Sequence, residues 1–176
     1  SSRGAAAIPT LASVLSNDAI SVVGKLSAVW ATARSEDKAA YSALREAIAS
    51  RYGLNSDHIV CGSGSDELLQ LLAHAYLGEG DEAIYSQHGF LVYPIAIKSN
   101  AATAIVAAEP GLVANVDQIL SCVSERTRMV FLANPNNPTG TFARAEALAE
   151  FLRQVPREVL VVLDEAYTEY LPAQLA

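Results

Sequence analysis

Four short stretches hold residue types that could do chemistry together. Gly62-Ser63-Gly64-Ser65-Asp66-Glu67 lies between a short apolar run and an apolar helical repeat. A glycine-rich turn at a helix N-terminus leaves backbone N–H groups free, and the helix dipole there favours an anion. Phe90, with His88 just before it, follows the apolar run Ala83-Ile84-Tyr85. An aromatic at such a place can stack on a flat ligand. Asn134-Pro135-Asn136-Asn137-Pro138-Thr139-Gly140 follows Phe131-Leu132-Ala133. Its prolines fix φ and restrict the residues before them, so the turn presents its amides rigidly. Asp164 ends the apolar run from Val159 to Leu163, and Tyr167 lies one turn further on.

Each stretch alone has an ordinary structural explanation. The glycine loop is no dinucleotide fingerprint, since Glu67 stands where the third glycine belongs, and it is neither a P-loop nor a nucleophile elbow. By itself it reads as a tight turn with Ser65 as N-cap. Asp164 can cap the next segment, Phe90 can pack in a core, and His88 can be a solvated loop histidine. His58 and His74 have no second ligand nearby to suggest a metal. The combination is more informative. A phosphate-type loop, a ring stacker, an amide turn and an acid suit a planar, phosphorylated, nitrogen-containing ring. Pyridoxal phosphate fits, with a carboxylate keeping the ring nitrogen protonated so that the ring can accept electrons.

Positioning these groups requires alternating strands and helices. Tyr41, Leu44, Ile48 and Tyr52 recur at helical spacing, with Gly53 as a natural C-terminal stop. This predicts a helix over 36–52, with Ser35 as N-cap and acids in its first turn. His58 to Cys61 reads as a short strand, followed by a helix behind the glycine loop. Strands are expected at 83–85, 103–107, 128–133 and 159–163. Helices are expected at 90–98, with Pro94 as a weak point, at 115–123 and at 142–152. The runs at 128–133 and 159–163 lack alternating polarity, as strands buried on both faces do. The fold class is therefore α/β, a mostly parallel sheet with helices on both faces, whose ligands bind at the strands' carboxyl ends. Residues 1–34 form a poorly defined arm, with a short helix over 8–15 and a strand or irregular arm over 21–30.

The chain has 176 residues and a net charge of −7. No Lys/Arg stripe is present, which argues against nucleic acid and anionic membranes as partners. No apolar run reaches membrane-spanning length. The hydrophobic share of 51% and mean hydropathy of +0.23 suit part of a larger buried core. The first 20 residues lack a compact apolar segment, so a signal peptide is not expected, while their Ala/Ser-rich composition leaves a transit-like leader open. Cys61 and Cys122 have no metal-ligand spacing and read as buried, reduced thiols of a cytoplasmic protein.

The asparagine–proline turn followed by Asp164-Glu165-Ala166-Tyr167 resembles the fold-type I pyridoxal-phosphate aminotransferases. The glycine loop and His88-Gly89-Phe90-Leu91-Val92-Tyr93-Pro94 are similar to the histidinol-phosphate aminotransferase family, over roughly Tyr41 to Leu171. The resemblance implies that Gly64, Ser65 and Asp66 hold the cofactor phosphate and that Phe90 stacks on the ring. It also implies that Asn137 and Tyr167 reach the ring's O3′ and that Asp164 pairs with the ring nitrogen. It makes residues 35–176 the cofactor-binding large domain, truncated at its C-terminus. It implies a homodimer that exchanges amino and oxo groups between an amino-acid-like phosphate ester, histidinol phosphate, and a 2-oxo acid such as 2-oxoglutarate. Two departures bear on activity. The family's Schiff-base lysine lies beyond the D-E-A-Y strand, whereas the lysines here are Lys25, Lys38 and Lys98. No catalytic residue is therefore assigned, and the chain by itself is expected to be inactive. The family's N-E-N-P-type segment is also missing after Lys25-Leu26. Two alternatives stay open: a threonine-phosphate decarboxylase-like enzyme, and a non-catalytic paralogue serving as a binding module.

Overall fold

The computed structural model describes residues 38–171. The helix expected over 8–15, the strand or arm over 21–30 and the Ser35 cap lie outside the described residues. Among those described, helix α1 (Lys38–Tyr52) comes first, then α2 (Ser65–Tyr76), β1 (Glu82–Ser86), α3 (Val92–Ser99) and β2 (Thr103–Ala107). Helix α4 (Val116–Ser121), β3 (Thr127–Ala133), α5 (Ala145–Gln154) and β4 (Leu160–Asp164) follow. The four strands pair in the order β2-β1-β3-β4, and every pairing is parallel.

Side-chain alternation along these strands builds two cores. Met129, Phe131 and Ala133 of β3 face one side, where they meet Leu69, Ala73, Tyr93, Ala96 and Ile97 of α2 and α3. Val130 and Leu132 face the other side and meet Ile119 of α4 with Leu148, Phe151 and Leu152 of α5. Both faces of β3 and β4 are thus covered, and all five residues of β4 are buried. This accounts for their unbroken apolar runs. Full burial of a Leu, Val or Phe side chain stabilises by about 1.5–3 kcal/mol, so the two layers supply the main driving force.

The order of the strands fixes where a ligand can enter. From β1 the chain crosses to β2 on one flank, then returns to β3 on the other flank of β1. The loops leaving β1 and β3 therefore diverge to opposite sides of the sheet and open a crevice at their carboxyl ends.

Several expected boundaries move for identifiable reasons. His58 to Cys61 is not a strand. Ser56–His58 forms a 3-10 turn capped by Asn55, whose side chain accepts from Asp57 N–H. Ile59 has extended dihedrals, yet no described strand pairs with it, and Val60 is 72% exposed. Composition favours extended backbone there, but a strand also needs a ladder partner. Helix α3 starts at Val92, not at Phe90, and Tyr93 N–H donates to Phe90 O to close the preceding turn. Pro94 falls in the first helical turn, where its missing N–H costs no bond. Helix α5 starts at Ala145 instead of 142. The backbone of Ala143 is held by Asn134, accepting from its Nδ2 at 3.1 Å and donating to its Oδ1 at 2.7 Å. Both cysteines are free but half-buried, not buried.

Candidate functional site

The loop Gly62 to Ser65 turns sharply into α2. Gly64 is the N-cap, with φ 95° and ψ 178°, and Ser65 is the first helical residue, not the cap. That conformation is essentially open to glycine alone. A Cβ on Gly62 would sit 2.9 Å from both Glu67 Oε2 and Leu68 Cγ, so this position also needs glycine. Glu67 reaches back to accept from Ser63 N–H. No side chain caps the helix from Gly64, so the amides of its first turn, including those of Ser65 and Asp66, have no cap-residue acceptor. Asp66 itself is exposed.

After β1, Gly89 N–H donates to Ser86 O at 2.8 Å, and a Cβ on Gly89 would come within 3.0 Å of that same oxygen. The turn is therefore tight, and it leaves Phe90 half-buried at the sheet edge. Phe90 packs edge-on against Tyr93, with ring centroids 5.9 Å apart. Tyr93 in turn stacks on Phe131 of β3 at 5.0 Å.

The turn after β3 is stapled to itself and to its neighbour. Both Asn134-Pro135 and Asn137-Pro138 are cis. Asn136 N–H donates to Thr141 O at 2.7 Å, and Gly140 N–H donates to Asn136 O at 2.8 Å. Asn134 N–H donates to Asp164 O at 2.9 Å, continuing the ladder in which Ala133 pairs with Asp164.

Asp164 is thus the last residue of β4, not the residue after it. It is 8% exposed. Its Oδ1 accepts from Ala166 N–H at 3.1 Å, and its Oδ2 accepts from the Tyr93 hydroxyl at 2.8 Å. Burial, then the charge of Asp164 and the hydrogen bond to it, raises the Tyr93 hydroxyl far above the usual tyrosine range. Tyr93 therefore stays protonated and acts only as a donor towards the carboxylate. Sequence reading missed this residue. Its signal was an apolar-face position on α3, indistinguishable from core packing until β4 is placed beside it.

One pocket is lined by Ser65, Phe90, Ala133, Pro135, Asn137, Asp164, Ala166 and Tyr167. Five of the residues singled out from sequence thus meet at one place: Ser65, Phe90, Asn137, Asp164 and Tyr167. Gly64 and Asp66 flank it without lining it. His88 is a loop histidine whose side chain keeps 37% of its surface exposed, and it also binds the buried Glu109. Among the described residues no group of histidines, cysteines and acids could hold a metal, and no helix is long and apolar enough to cross a membrane. Lys98 lies exposed in the last turn of α3, at the end away from Phe90.

A doubly covered parallel sheet with an acid, an aromatic and an amide turn at its carboxyl edge is the fold of the fold-type I pyridoxal-phosphate aminotransferases. Residues 28–176 match the family described as aminotransferase class I and II, and the chain belongs to that family. Among curated proteins it is 57% identical over 128 residues to a histidinol-phosphate aminotransferase of Rhodopseudomonas palustris, covering 73% of this chain and 35% of that one. It is 54% identical over 130 residues to the same-named protein of Rhodospirillum centenum, covering 74% and 36%. A crystal structure of histidinol-phosphate aminotransferase from Sinorhizobium meliloti in complex with pyridoxal-5'-phosphate superposes with a TM-score of 0.73 at 26% identity. That match covers 77% of this chain and 37% of the other. The chain thus spans about a third of the length of these relatives.

Proposed function

We propose that this chain is the cofactor-holding part of a pyridoxal-phosphate-dependent aminotransferase that transfers the amino group of histidinol phosphate to 2-oxoglutarate. The observation that carries the reading is the convergence of Ser65, Phe90, Asn137, Asp164 and Tyr167 on one pocket. The relatives named above, at 54–57% identity, supply the substrate class.

The donor set suits the cofactor. Gly64, Ser65 and Asp66 offer backbone N–H groups and the positive end of a 12-residue helix to a phosphate. Phe90 gives an apolar face for the ring. Asn137 and Tyr167, which line the same pocket, would donate to a ring oxygen. Asp164 would hold a proton at the ring nitrogen, and both of its oxygens are already oriented by Tyr93 and Ala166. When bound, the cofactor supplies an electron sink for a carbanion on the substrate. The residues named here would bind and orient it and keep its nitrogen protonated. Residues 35–176 form the large domain in this reading, and a homodimer is its expected assembly.

Equilibrium titration of the chain with pyridoxal 5'-phosphate tests the reading. Saturable one-to-one binding is expected, weakened at least about tenfold by Asp164→Ala through loss of a charge-assisted contact. Absence of saturation, or equal affinity in the variant, would sink it. Offering histidinol phosphate and threonine phosphate to the enzyme containing this chain separates transamination from decarboxylation by the product formed.

A further inference from the structure

Glu109 is a buried carboxyl group with no part in lining the pocket. Glu109 lies in the loop after β2, and its side chain is 0% exposed. It faces three donors. Its Oε2 accepts from His88 backbone N–H at 2.7 Å and lies 2.8 Å from the ring Nδ1 of His88. Its Oε1 accepts from Asn136 Nδ2 at 3.3 Å. An ionised carboxylate only accepts, so His88 Nδ1 carries the proton in this pair. The Glu109 backbone N–H donates to Gln87 Oε1 at 3.4 Å. On the far side, Asn136 Nδ2 also donates to Thr139 Oγ1 at 2.9 Å. One side chain therefore ties together the loops leaving β1, β2 and β3.

Those loops carry Phe90, which would stack on the ring's face, and Asn137, which would reach an oxygen at its edge. Phe90 is two residues beyond His88, and Asn137 directly follows Asn136. Neither is in a helix or strand, so the sheet alone does not fix their separation. Burying a carboxylate is costly unless several donors compensate it. Here the donors come from the two neighbouring loops and from none of Glu109's own.

We propose that Glu109 is the positioning residue of the site, joining the β1 and β3 loops so that Phe90 and Asn137 keep a fixed spacing. The consequence for cofactor affinity rests on the pyridoxal-phosphate reading, whereas the coupling of the loops does not.

Two measurements on the chain separate the possibilities. The first is hydrogen exchange without cofactor. Glu109→Gln places an amide N–H₂ against at least one of the three donors, so exchange at 87–91 and 134–141 speeds up together, by about tenfold. The second is pyridoxal 5'-phosphate affinity, which falls by about tenfold for the same variant. Adding Asn136→Asp gives the new amide an acceptor, so the double variant recovers to within about threefold of the parent in both measurements. A merely structural role would not predict that rescue. Ile119→Val, in the opposite core, controls for general destabilisation and leaves the affinity unchanged. Faster exchange confined to 107–113, or no rescue by the double variant, overturns the proposal. Failure of the parent to bind the cofactor, with the exchange pattern intact, overturns the proposed function and leaves the coupling standing.

Discussion

Tyr93→Phe removes one oxygen from the centre of the site and little else. The Tyr93 ring is 1% exposed and keeps its stack on Phe131 and its edge contact with Phe90. What is lost is the 2.8 Å bond from its hydroxyl to Asp164 Oδ2. A buried hydrogen bond to a charged group contributes about 1.5–3 kcal/mol, so at pH 8 the variant loses about that much stability. With a urea slope of about 1.5 kcal/mol/M, the unfolding midpoint drops by about 1–2 M. Alkaline pH gives a second, independent signature. In the folded chain the Tyr93 hydroxyl is raised, first by burial and then by the Asp164 charge and hydrogen bond. In the unfolded chain it ionises near the ordinary tyrosine value of about 10. The unfolded state therefore releases a proton that the folded state keeps, and stability falls as pH rises above about 10. Below that value the contribution is fully present. By pH 11 the wild-type chain has lost about 1.4 kcal/mol through this residue alone, and the variant has lost none of it. Urea unfolding of both chains at pH 8 and pH 11 thus shows the gap between them narrowing by about 1.4 kcal/mol. A variant as stable as the parent at pH 8, or a gap that stays constant to pH 11, would refute the reasoning.

Two further outcomes follow from the site's backbone and its amines. Gly64→Ala destabilises by about 1–3 kcal/mol although, among the described residues, no atom beyond its two chain neighbours lies within 4 Å of the added methyl group, because φ 95° with ψ 178° is strained for any L residue; a denaturation curve unchanged from the parent would contradict this. Borohydride reduction of the chain mixed with pyridoxal 5'-phosphate leaves no single lysine labelled stoichiometrically, as read by peptide mapping. Full labelling of one of Lys25, Lys38 or Lys98 would show instead that an amine reaches the pocket.

Most of the fold was legible in the sequence, because burial on two faces leaves a compositional trace. The apolar runs ending at Ala133 and Asp164 placed β3 and β4 to within a residue or so, and the parallel pairing followed from their lack of alternation. The glycine loop and the proline turn were legible because their backbone conformations admit few residue types. The segment 58–61 misled for the complementary reason. Its residues suit extended backbone, but whether extended backbone becomes a strand depends on a partner elsewhere in the chain. His88 was legible as a loop histidine, but its acceptor was not, because Glu109 lies 21 positions away.

The sequence by itself determined the element order, the two-sided burial of the central strands, and the residues able to form a pocket at one sheet edge. Only the tertiary structure decided the strand order β2-β1-β3-β4, which opens the crevice between the β1 and β3 loops. It alone paired Tyr93 with Asp164 across 71 positions, and Glu109 with His88 and Asn136 across 21 and 27. Periodicity reports which side chains share a face, because local geometry repeats every two or 3.6 residues. It carries no information on which buried polar group meets which. That choice is made when distant segments pack, and each donor excluded from water must find an acceptor.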